Sequence, residues 1–102
     1  MRYKIKLSND AQYDFDNYID YILFECGAPL TAIKHYEGIT RALNDLSKNP
    51  FINNVRDNAF FKTLGMNVRR ENYKKMAIIY TVNEDTVFIH RIIASSLITE
   101  LN

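Results

Sequence analysis

Arg69, Arg70, Lys74 and Lys75 fall within seven positions of one another. Guanidinium groups grip phosphate oxygens in pairs and lysines add point charge. Two or three such cations on a concave surface could therefore hold a phosphodiester or an acidic peptide. Arg69 and Arg70 are neighbours on an extended segment and point to opposite faces, so only one of them joins the lysines on a given face. Charge at a hairpin tip also keeps a sheet edge soluble, and that use competes with a binding role. Tyr80, His90 and Arg91 are the other groups with chemical potential. Tyr80 sits mid-strand, where a core or platform tyrosine is the ordinary occupant. His90 lies beside Phe88 and Ile92, the usual setting of a packed or surface ring. Arg91 shares its side with Ile89 and Ile93, and is either a satisfied half-buried cation or part of a site.

Other chemistries lack their residues. His35 and His90 are far apart in sequence and Cys26 has no nearby partner, so zinc-type spacing is missing and no metal is expected. Three glycines, none in a loop–helix fingerprint, leave no phosphate-cradling loop and no cofactor to expect. Asp14, Asp16 and Asp20 on the first helix read as a solvated face. The 13 basic and 12 acidic residues nearly cancel, which argues against a dedicated duplex nucleic-acid binder.

The elements that position these groups follow from hydrophobic spacing. A chain of 102 residues, 47% of them apolar, is expected to form a single domain over 1–102. Tyr3, Ile5 and Leu7 alternate with lysines and predict a short strand. Ser8 and Asn9 offer N-cap oxygens, and Asp10 suits the first turn of a helix. That helix carries Ala11, Phe15, Tyr18, Ile19, Ile22 and Leu23 on one stripe and ends at Gly27. Pro29 opens a second helix with Ile33, Tyr36, Ile39, Leu43 and Leu46, which stops before Pro50. So short a link predicts an antiparallel helix hairpin, packed through Phe15, Ile19, Ile22, Tyr36, Ile39 and Leu43. Residues 51–58 read as a loop. Leu64, Met66 and Val68 then alternate as a strand, with a turn near Asn72. Met76 to Val82 reads as a central strand covered on both faces. Asn83 to Asp85 makes the next turn, Val87 to Ile93 the last strand, and residues 95–102 a tail with one helical turn. The sum is an α+β domain: N-terminal strand, antiparallel helix hairpin, and a three-stranded antiparallel meander, all strands in one sheet. A single cysteine suits a reducing compartment, the alternating start is unlike a signal peptide, and no apolar run nears the roughly 20 residues of a membrane span. A soluble cytoplasmic protein without membrane contact is expected.

Element order and residues together resemble the RelE/ParE superfamily of toxins from bacterial toxin–antitoxin operons. The resemblance spans nearly the whole chain. It rests on Leu7-Ser8 with Ala11 and Asp14, on Tyr18-Ile19 and Tyr21-Ile22, and on Pro29, Ala32, Ile39 and Leu46 through Pro50. In the second half it rests on Val68-Arg69, Ala77 through Val82, and Val87 through Ile93. It implies a small toxin restrained by a cognate antitoxin whose acidic, partly disordered segment wraps it, as a dimer or a toxin–antitoxin heterotetramer. Some members cleave mRNA in the ribosomal A site; others poison DNA gyrase by binding. The nuclease branch places a histidine or tyrosine and arginines just after the final strand, where this chain reads Ala94-Ser95-Ser96-Leu97. The resemblance therefore favours a toxin that binds its target, with a partner or phosphate surface of Arg69, Arg70, Lys74, Lys75 and Arg91. A ribosome-dependent nuclease using Arg69, Lys74, Tyr80 and His90 is the alternative, and a member that has lost toxicity is a third.

Overall fold

The computed structural model describes residues 2–98. Strand β1 (Lys4–Leu7) leads into helix α1 (Asn9–Asp20), whose cap Ser8 accepts the Ala11 N–H on its side-chain oxygen at 3.0 Å. The same hydroxyl donates to the His90 carbonyl at 2.8 Å, so one serine starts the helix and fastens it to the sheet. Beyond Asp20 the helix widens into a π turn (Tyr21–Glu25), closed by the Cys26 N–H on the Tyr21 carbonyl. Gly27, at φ 60, turns the chain toward α2 (Pro29–Lys48), with its proline in the first turn where no N–H is needed. Tyr18 meets His35 and Phe15 stacks on Tyr36, so the two helices run antiparallel.

After α2, the loop through residue 58 leads to a short helix, α3 (Ala59–Lys62), capped by Asn58. Hydrophobic spacing gave no sign of it. Strands β2 (Arg69–Tyr73), β3 (Met76–Asn83) and β4 (Thr86–Ala94) form the antiparallel meander, and β1 joins β4 in parallel, giving the order β1-β4-β3-β2. A 3₁₀ turn (Ser95–Leu97) follows. Among the described residues no helix is long and apolar enough to cross a membrane.

The sheet separates two cores. Met76, Ile78, Tyr80, Val87, Ile89 and Ile92 face the helices, against Ala11, Phe15, Ile39, Leu43 and Leu46. Ala77 and Ile79 face the other way, against Phe61 and Val68 from the α3 segment. The central strand is thus covered on both faces, as its continuous apolar run requires.

The structure departs from the sequence pattern in three places. Residues 64–68 are not a strand: Gly65 (φ 146) and Asn67 (φ 56) break the extension, Met66 is 85% exposed, and pairing starts at Arg69, which moves the turn to Lys74–Lys75. The alternation across His90 also fails. A β-bulge shifts the register from Ile79↔Arg91 to Tyr80↔Ile89, leaving His90 unmatched and bringing both Ile89 and Ile92 to the helix side. Tyr36, expected in the core stripe, is 53% exposed, because the sheet takes the neighbouring face of α2.

Gly38 on α2 lets the β2–β3 hairpin approach. A Cβ there would lie 2.1 Å from the Tyr73 hydroxyl oxygen. Gly38→Ala is expected to lever the Tyr73 ring off α2 and cost about 1–3 kcal/mol, read as a lowered urea midpoint. An unchanged midpoint would mean that the ring swings aside freely.

Candidate partner-binding groove

β2 is the edge strand, and the floor beside it is α2. Between them runs a groove of about 580 Å³ lined on one wall by Lys34, Gly38, Arg41 and Asp45, and on the other by Glu71, Asn72, Tyr73 and Lys74. The α2 residues fall at spacings of four, three and four, one stripe of a helix with a glycine where the hairpin presses in. Lys74 occupies the hairpin turn at φ 52 and its ammonium lies 5.9 Å from the centre of the Tyr73 ring. Tyr73 meets the edge of His35, whose Nδ1 shares a 2.9 Å hydrogen bond with the Tyr18 hydroxyl. Burial pushes the His35 pKa down, and the Lys74 and Lys34 cations push it further. Two ammonium groups from distant parts of the chain therefore act on one spot.

The backbone of this wall is also available. On the outer side of β2 the Val68 carbonyl accepts the Arg56 N–H at 2.7 Å, and Val55 bridges Arg69. Strand period two then directs the main-chain groups of Asn72 away from β3 and toward the groove side. An extended segment laid there would meet a peptide edge, an apolar Tyr73 face and three cations, with the Asp45 and Glu71 carboxylates beside them.

The sequence-derived candidates do not gather at one point. Arg69 faces the helix side, where it donates to the Asn53 carbonyl and lies 5.1 Å over the Phe51 ring. Tyr80 is fully buried, donates to the Pro50 carbonyl at 2.7 Å and accepts from Asn53 Nδ2 at 3.2 Å; burial raises its pKa. Arg70 points to the opposite face and donates from Nε to Asn72 Oδ1 at 2.7 Å. Lys75 is exposed in the turn but does not line the groove. Arg91 is held by Asp14 through Nε at 2.7 Å and Nη2 at 2.9 Å, which makes it the satisfied half-buried cation of the two readings. Asp14 itself is corrected: its side chain is 10% exposed, not part of a solvated face, because the carboxylate also accepts the Ile92 N–H at 3.1 Å.

His90 stands on the face away from the helices, its Nε2 sharing a 2.9 Å hydrogen bond with Thr81 Oγ1 and its ring edge-on to Phe88. Burial lowers its pKa from the ordinary 6.5. A histidine depressed on folding contributes stability that is present above pH 6.5 and lost as pH falls through the folded value. His35 shifts the same way. Urea midpoints are thus expected to fall between pH 7.5 and pH 5, and His90→Gln should flatten that slope. A slope unchanged in the variant would remove His90 from the cause.

Lys34 and Arg41 were missed in the sequence. Their helical spacing around Gly38 was the one available signal. Among the described residues no group of three or more His, Cys, Asp or Glu side chains is placed to hold a metal.

The described surface of this small α+β domain thus carries a groove between α2 and β2 in which Lys34, Arg41 and Lys74 stand beside Asp45 and Glu71. Residues 5–96 match the ParE toxin family of type II toxin–antitoxin systems of the parDE type, and the chain belongs to that family. Among solved structures it is similar to a chain from a chromosomal ParDE toxin–antitoxin system of P. aeruginosa. The TM-score is 0.70 at 19% identity, over 91% of this chain and 96% of that one. No curated protein matches it in sequence.

Proposed function

We propose that this ParE-family toxin arrests growth by binding a cellular target in the cytoplasm, DNA gyrase first, without cutting RNA, and that a cognate antitoxin silences it. The observation that carries the reading is the dispersal of the nuclease candidates. General acid–base cleavage needs a proton acceptor at the ribose hydroxyl and a donor or cation at the leaving oxygen, within hydrogen-bond reach of one substrate. Arg69 and Tyr80 face the helix side with their groups engaged by the 50–53 loop, His90 faces the other side, and Lys74 sits at the turn. The 3₁₀ turn after β4 adds only Ser95, Ser96 and Leu97, with no base to activate a hydroxyl.

For the antitoxin, the groove beside β2 supports an acidic, extended segment. Lys34, Arg41 and Lys74 attract its carboxylates while Asn72 offers backbone pairing. Sequencing of mRNA ends after induction tests the mechanism. The expected result is no new ends inside A-site codons while DNA replication stalls. Codon-internal cleavage abolished by Arg69→Ala would overturn it in favour of the ribosome-dependent nuclease.

A further inference from the structure

The helix hairpin carries a surface opposite in character to the groove. Five of the chain's twelve acidic residues and none of its thirteen basic ones fall between Ser8 and Ile33. Asp14 is neutralised by Arg91, whereas Asp16, Asp20 and Glu25 are exposed. Tyr21, Phe24, Leu30, Ile33 and Tyr36 on the same hairpin are exposed large apolar side chains. Ile33 and Tyr36 among them line a cleft of about 500 Å³, whose walls are Ile19 and Leu23 on one side and Pro29, Ile33, Tyr36 and Glu37 on the other. Soluble domains seldom leave contiguous apolar surface of this kind uncovered. The π turn adds to it, since such insertions weaken a helix and recur at functional sites, and here Tyr21 and Phe24 stand outward.

We infer that this hairpin is the docking face for a second protein that presents a cationic helix with an apolar stripe. Three features decide the occupant. The cleft runs between two helices with apolar residues at helical spacing, a shape that accepts a third helix ridge into groove. Its rim is acidic: Glu37 lines one wall, and Asp16 and Asp20 flank Ile19 on the other helix, so basic residues on the incoming helix gain and acidic ones lose. A second copy meeting it by two-fold symmetry would set the same acidic rim against itself. The acidic segment assigned to the β2 groove is repelled here for the same reason. Helix α2 thus sorts two partners by charge, with Lys34 and Arg41 toward one and Ile33, Tyr36 and Glu37 toward the other. Taking the hairpin partner to be the toxin's target rests on the growth-arrest reading above.

Two arms test the inference. The ¹⁵N-labelled full chain is titrated with an amphipathic Leu/Lys helical peptide and with its Leu/Glu counterpart. The Lys peptide is expected to shift the amides of Leu23, Ile33 and Tyr36, to bind at least about tenfold more tightly than the Glu peptide, and to weaken with added salt. The variant Ile33→Ser/Tyr36→Ser changes two cleft-lining side chains that are 54% and 53% exposed, so the fold should survive. It should bind the Lys peptide about tenfold less well and lose growth inhibition, while keeping its affinity for an acidic peptide in the β2 groove. Equal binding of both peptides at the hairpin, shifts confined to the β2 groove, or self-association through the hairpin would each overturn the inference. A parent chain that does not inhibit growth would sink the toxin reading alone, because the peptide arm still decides the surface.

Discussion

Asp14→Ala is expected to melt about 8–24 °C below the parent chain. The reason lies in how β4 is finished. Parallel pairing from β1 stops at Leu7↔Ile89, so the β4 edge beyond that point loses its neighbour. Ser8 caps the His90 carbonyl and Asp14 caps the Ile92 N–H, so two side chains replace the missing strand. The carboxylate simultaneously receives a two-pronged guanidinium from Arg91. Removing one partner of a well-buried pair costs about 3–5 kcal/mol, because the survivor stays desolvated. Arg91 is 37% exposed and recovers part of this in water, leaving about 2–3 kcal/mol. At about 4–8 °C per kcal/mol for a domain of this size, the shift is large. Asp14→Asn keeps an acceptor for the Ile92 N–H and should fall by less. Circular dichroism melts of both variants and of Arg91→Met decide it. A drop under about 2 °C for Asp14→Ala would mean that the carboxylate is dispensable.

That pairing also marks where sequence reading stopped. β1, α1, α2, β3 and β4 were legible because a half-buried strand or helix writes its period locally, as in Tyr3-Ile5-Leu7 or Ile39-Leu43-Leu46. Asp14 and Arg91 lie 77 positions apart, and no local rule separates a carboxylate that reaches a strand edge from one that faces water. The bulge at His90 reverses which residues of β4 share a face, and nothing in the apolar run around Ile89 and Ile92 announces it. The Leu64-Met66-Val68 alternation was a false signal: Leu64 and Val68 do pack beside Phe61, but through two left-handed residues that spacing does not reveal. Tyr36 shows the limit of a helical stripe, which gives the apolar arc but not which part of it the sheet will take.

The candidate site divides along the same line. The run Arg69 to Lys75 was visible as a cluster of charge, yet its members separate. Arg69 turns in to the 50–53 loop, Arg70 points to the far face, Lys75 projects from the turn, and Lys74 faces the groove. What completes the groove comes from α2, brought alongside by the contact of Tyr73 with Gly38. Long-range packing sets Lys34 and Arg41 beside Lys74 in the groove, whereas proximity in sequence pointed to Lys75, which does not line it.

The distinction has a kinetic consequence, and it is the largest functional effect expected. A segment rich in carboxylates is steered by the summed field of the groove, and steering of this kind raises association rates by about 10–1,000-fold. Reversing the three lining cations together, Lys34→Glu/Arg41→Glu/Lys74→Glu, should slow association of a fluorescent peptide of alternating glutamate and leucine by about 100-fold at low salt. Dissociation should change less, because much of the holding comes from backbone pairing at Asn72 and from the Tyr73 face. The difference should shrink in high salt, since charges separated by more than about 8–10 Å are screened at physiological ionic strength. Lys75→Glu is the internal control: it alters charge at the same hairpin without lining the groove, and should slow association by no more than about threefold. The substituted side chains are exposed on α2 and in the turn, so melting temperatures should stay near that of the parent and separate a binding effect from unfolding. If Lys75→Glu slows association as much as Lys34→Glu alone, the hairpin tip guides the partner and α2 does not.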